Sequence, residues 1–77
     1  MTDSQKDFET TDGEHLVGKS FNPGGNPHVD HIKQTVAGLI DYVREHGKDG
    51  RCTAICITEL EGAAMWGVKS VTKQPRQ

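Results

Sequence analysis

Gly47–Lys48–Asp49–Gly50, "GKDG", is the stretch on which the fold turns. A linker this short between two helical patterns cannot carry the chain back along a helix length, so the flanking segments must lie side by side as a hairpin. Upstream, Asn26 is a good N-cap, Pro27 suits the first helical position, and Asp30 places a carboxylate in the first turn, where the macrodipole favours it. Apolar residues follow at Val29, Ile32, Val36, Leu39 and Val43, each three or four apart, with Ile40 widening the stripe. A helix is predicted over about 27–46, ended by Gly47. Downstream, Thr53, Ile57, Leu60, Ala64, Gly67 and Val71 form a second seam, predicting a helix over about 51–72 that Pro75 keeps from extending. The predicted fold class is all-α: an antiparallel two-helix hairpin behind a loop-rich N-terminal segment.

Outward from the hairpin, order fades. Residues 15–26, "HLVGKSFNPGGN", read as loop, with Leu16, Val17 and Phe21 as anchors and Pro23-Gly24-Gly25 excluding a regular element. Residues 1–14 carry Asp3, Asp7, Glu9, Asp12 and Glu14 against Lys6 and show no apolar period, so they read as a flexible acidic tail; residues 73–77 form a C-terminal tail. The hairpin domain is thus expected over 15–72. From His15 onward eight Lys/Arg stand against six Asp/Glu, too weak a basic balance for a surface that coats DNA or RNA, but compatible with a small anion held locally.

A 77-residue chain that is 32% hydrophobic has little to bury. Chains of this size bury roughly 60% of their unfolded surface and are marginal without disulfides, a metal or association. Cys52 and Cys56 lie four apart, and no apolar signal segment or membrane-length run is present, so the thiols read as free, packed side chains of a cytoplasmic protein. The second helix has more apolar surface than one partner can cover. In Glu59–Lys69, "ELEGAAMWGVK", the only tryptophan sits among small residues. Gly62, Ala63, Ala64 and Gly67 allow close approach of another helix, and Trp66 reads as a plug between chains, flanked by Ala63 and Met65; the alternative is a core residue within the hairpin. The apolar surplus points to a helical oligomer.

The glycine-bearing loop leading into a helix N-terminus offers backbone N–H groups to an anion, with Lys33 as a cation, Thr35 as a hydroxyl and Phe21 as a face for a nucleobase. No GxxxxGK[ST] or GxGxxG spacing is present, which excludes those nucleotide-binding loops, and a plainly capped helix explains the same residues. His28 and His31 pair on one helical face, as do Cys52 and Cys56, but in a hairpin the two pairs lie roughly 30 Å apart, so no four-ligand metal site is expected within one chain. No catalytic residues are assigned: Asp30 and His31 diverge around the helix, and no serine or cysteine has a base at helical spacing. No cofactor is expected.

Two stretches, "FNPGGNPHVDHIKQTVAGLID" from Phe21 and "TELEGAAMWGVKSVT" from Thr58 with Arg51 ahead of it, closely resemble the helical-hairpin domain of phage anti-CBASS and anti-Thoeris signal sponges, over about Ser20 to Thr72. The chain ends soon after the hairpin and looks like the compact anti-CBASS type. The resemblance implies a non-catalytic hexamer that traps cyclic dinucleotides such as cyclic GMP-AMP between protomers, and cyclic trinucleotides in other pockets, in the cytoplasm of the infected bacterium. By the same resemblance Lys33 falls at the matching lysine and Thr35 at the phosphate hydroxyl, Phe21 takes the stacking role, and Arg51 and Thr58 suit either a second pocket or, equally, a surface or capping role. Compact members use a tyrosine near the N-terminus, whereas Tyr42 here lies inside the first helix. A reading from another class remains: a helical module that docks on a host or phage protein through the Trp66 face.

Overall fold

The computed structural model describes residues 10–74. Three helices follow one another: α1 (Asp12–Val17), α2 (Pro27–His46) and α3 (Gly50–Thr72). α2 and α3 form the hairpin, joined by Gly47, Lys48 and Asp49. Close approaches join the pair at both ends. A side chain at Gly47 would strike the Thr53 hydroxyl, and one at Gly67 would stand 3.1 Å from Ile32 Cγ2.

The caps explain the helix ends. Asn26 Oδ1 accepts from His28 N–H at 2.8 Å, and Pro27 occupies a first-turn position where its missing N–H costs nothing. Asp49 caps α3 by accepting from Cys52 N–H at 2.8 Å, so the helix starts at Gly50.

α1 corrects the expectation of a tail over 1–14 followed by an irregular segment; residues 1–9 lie outside the described part. Thr11 and Glu14 make a reciprocal capping box: the Thr11 hydroxyl accepts from Glu14 N–H, and the Glu14 carboxylate accepts from Thr11 N–H. Gly18 ends the helix in the left-handed region at φ 63°, with Lys19 N–H donating to Glu14 O and Gly18 N–H to His15 O. α1 packs mainly on α2. Gly13 N–H donates to Asp41 Oδ1 at 2.6 Å, a carboxylate set where the α1 dipole favours it. The backbones are so close there that any side chain on Gly13 would run into the Ala37 carbonyl. Arg44 pairs with Asp12 across the same contact.

Because α1 covers part of α2, the buried line on that helix is shifted from the predicted stripe. Val29, Lys33, Ala37 and Ile40 are buried, Ile40 completely, while Leu39 is exposed. On α3, Ile57 and Ala64 are buried and Thr53, Leu60 and Gly67 half-buried, but Val71, near the helix end, is exposed. Phe21 is exposed rather than an anchor; Leu16 and Val17 are half-buried. Cys52 is also exposed and only Cys56 half-buried, so the packed-thiol reading fails for Cys52.

Candidate functional site

The segment between α1 and α2 is built as a knot. Asn22 holds it: its side-chain oxygen accepts from Asn26 N–H at 3.2 Å, and its amide donates to Asn26 O at 2.9 Å and to Asp30 Oδ1 at 3.1 Å. Gly25, at φ 62°, closes the turn with its N–H on Asn22 O. A Pro-Gly-Gly stretch that would otherwise wander is thereby fastened to the first turn of α2. The helix start is satisfied from within, by Asn26 on His28 N–H.

From the helix side, Lys33 fastens the segment's beginning. It is 7% exposed, and its Nζ donates to Gly18 O at 2.9 Å and Phe21 O at 2.5 Å. The ammonium lies 5.4 Å from the centre of the Phe21 ring, within cation–π range.

Two adjoining grooves meet at Lys33 and Val68. One, about 270 Å³, is lined by Leu16, Val17, Lys33, Glu61, Ala64, Met65 and Val68, with Glu61 the one carboxylate among the described residues that line it. The other, about 380 Å³, runs beneath the knot past Phe21, Asn22, Pro23 and Val29 to Val68 and Thr72. The second falls within the ~300–1,000 Å³ usual for small-molecule sites, and the first just below it.

Of the predicted ligand-binding residues, the structure brings Phe21 and Lys33 together. Thr35 is exposed about 200° around α2 from Lys33 and lines neither groove. Arg51 and Thr58 share a face of α3, two turns apart, exposed and outside both grooves. The predicted interface residues Ala63, Met65 and Trp66 are all exposed, Met65 at 67% and Trp66 at 66%, with Lys69 Nζ 4.9 Å from the Trp66 ring centre. Trp66 is therefore not core within the hairpin. Sequence reasoning missed Asn22, Glu61, Val68 and Thr72. Asn22, ahead of Pro-Gly-Gly, had a legible signal as an Asx-turn residue; the others depend on which faces of α3 meet the knot.

His28 and His31 sit at the start of α2, Cys52 and Cys56 at the start of α3. Among the described residues, no group of three or more His, Cys, Asp or Glu could hold a metal ion, and no helix is long and apolar enough to cross a membrane. At the head of α3, the bond from Cys52 N–H holds the Asp49 carboxyl below its ordinary range, while the Asp49 carboxylate pushes the Cys52 thiol up and away from its nucleophilic form.

Residues 13–72 match the hairpin domain of Acb2/Tad1, and the chain belongs to this family of anti-CBASS and anti-Thoeris sponges. At family level the function is anti-defence sequestration of cyclic nucleotides. No curated protein and no solved structure matches the chain.

Proposed function

We propose that this chain captures the cyclic dinucleotides of bacterial CBASS immunity, such as cyclic GMP-AMP, and cyclic trinucleotides in a second set of pockets, without cleaving them. It does so as a hexamer of antiparallel hairpins in the cytoplasm of the phage-infected host. The observation that carries the reading is the pairing of family membership with an unfinished surface: α3 presents Ile55 and Trp66 to solvent on its outer face and an exposed Met65 at the edge of the first groove. The antiparallel arrangement is supported by Ile32, early in α2, lying at Gly67, late in α3, and by Thr53 lying at Gly47. Phe21 offers its ring to a base. Thr35, Arg51 and Thr58 stand exposed on other faces, where a pocket closed by a neighbouring copy would use them. Sequestration acts by mass action, holding free messenger below the effector's threshold.

The test is recovery. Cyclic GMP-AMP incubated with the protein and released by heat or protease comes back intact and bound in stoichiometric amount. A linear or hydrolysed product would overturn capture in favour of an enzyme. The exposure of Trp66 also favours a second reading, in which the α3 face docks on a host or phage protein. Calorimetry with a panel of cyclic di- and trinucleotides separates the two: absence of heat across the panel at micromolar protein removes the sponge reading.

A further inference from the structure

The smaller groove carries both signs of charge. Leu16, Val17, Met65 and Val68 give it apolar walls, and Lys33 and Glu61 stand among them. The two charges form no ion pair with each other. Lys33 gives two of its three donors to Gly18 O and Phe21 O. Glu61, half-buried on α3, is an acceptor only. Between apolar walls the lone pairs of a carboxylate are costly to leave unmet, and a donor that meets them makes a charge-assisted bond.

A carboxylate is a poor neighbour for a phosphate, because like charges set together in a site repel and reject the partner. Glu61 therefore suits a part of an anionic ligand that is itself uncharged and donates hydrogen bonds. The groove, at about 270 Å³, is smaller than the usual site for a whole small molecule, so it fits one flat ring rather than a complete cyclic dinucleotide. Among the four common nucleobases, guanine alone sets two donors side by side, N1–H and the N2 amino group, where the two oxygens of one carboxylate can accept both. Adenine sets its N6 amino group beside the N1 lone pair, which would face a carboxylate oxygen.

We propose that Glu61 is a specificity-determining residue that accepts from N1–H and the N2 amino group of a guanine lying in the smaller groove. The inference rests on the cyclic-nucleotide reading above and narrows it to messengers that carry at least one guanine. Lys33 and Val68 border both grooves, so a nucleotide whose base is held at Glu61 continues past them into the larger one.

The experiment is calorimetry on the full-length protein with cyclic di-GMP, cyclic di-IMP and cyclic di-AMP as probes, for wild type and Glu61→Gln. Hypoxanthine keeps N1–H and lacks the amino group, so cyclic di-IMP removes one bond and little else. Wild type should bind cyclic di-GMP about 10- to 150-fold more tightly than cyclic di-IMP, the range of one hydrogen bond to a charged group, and should disfavour cyclic di-AMP as well. Glu61→Gln keeps the shape of the side chain and removes its charge. It should shrink the first ratio and improve the standing of cyclic di-AMP, since a carboxamide both donates and accepts and so matches adenine. A wild type without preference for guanine would overturn the assignment. Equal weakening of all three ligands in Glu61→Gln, with the ratios kept, would overturn it too and leave Glu61 a structural part. A wild type that binds none of the three while capturing no other cyclic nucleotide would overturn the functional reading itself, and this inference with it.

Discussion

The two long helices differ in a way their sequences would not suggest. α3 is the more apolar, with Ile55, Ile57, Leu60, Met65, Trp66, Val68 and Val71 along its length, yet only Ile57 and Ala64 are buried. α2 is more evenly mixed and buries Val29, Lys33, Ala37 and Ile40, a charged residue among them. The reason is coverage. Among the described residues, α2 has α3 on one side and α1 with the knotted loop on another, whereas α3 has little beyond α2. Among the described residues apolar character therefore does not report burial; where the two part company, an apolar surplus is left exposed.

Matched truncations test the contrast most strongly. Ile40→Ala removes a fully buried side chain and should cost about 2–5 kcal/mol in denaturant unfolding. Ile55→Ala, on the outer face of α3, should cost no more than about 0.5 kcal/mol in a dispersed chain. A larger loss at Ile55 that grows with protein concentration would show that association covers this face.

The coverage of α2 by α1 can be broken separately. Gly13→Ala forces a methyl into the Ala37 carbonyl and should cost about 1–3 kcal/mol through displaced backbone, read as a lower midpoint and as faster exchange in α1. Thr11→Ala removes half of the capping box and should cost about 1 kcal/mol. If neither substitution changes stability, α1 contributes nothing to the burial of α2.

The smallest effect lies at the head of α3. Asp49 is held below its ordinary pKa by its bond from Cys52 N–H, so its folded state favours the carboxylate. The stability it adds is complete above the ordinary carboxylate pKa, near 3.9, and is lost as pH falls through the lowered value. Asp49→Asn should flatten that acid limb and leave stability at neutral pH nearly unchanged, since Asn also caps helices. Denaturation midpoints from neutral to acid pH check this; an unaltered acid limb would remove the cap's role.

Much of the hairpin was legible because its signals are local. Asn26-Pro27 and Gly47 mark the ends of α2 through chemistry within a turn of each end, and the spacing of Ile57, Leu60 and Ala64 finds the seam of α3 without knowledge of its partner. α1 was legible too and was overlooked: Thr11-x-x-Glu14 is a capping box and Gly18 a left-handed stop, but a six-residue helix has too few apolar positions for a period to emerge. Leu39 was misplaced against Ile40 because the stripe of α2 is set by two neighbours, and the second was α1. For the site, the residue types single out Lys33 as a cation for an anion and Phe21 as a face for a nucleobase, but not as partners of one another. Their connection through the Phe21 carbonyl is a long-range contact that no spacing encodes. Thr35 on α2 and the shared face of Arg51 and Thr58 on α3 lie away from the grooves, and none of the described residues joins them to either groove.

The central claim is that the bare face of α3 is where copies meet, and light scattering of the wild-type chain at micromolar concentration tests it most directly. The account predicts a mass several times the 8.4 kDa of one chain, falling to that of a single chain in Trp66→Glu. A wild-type mass of one chain, with cyclic GMP-AMP still captured, would contradict it.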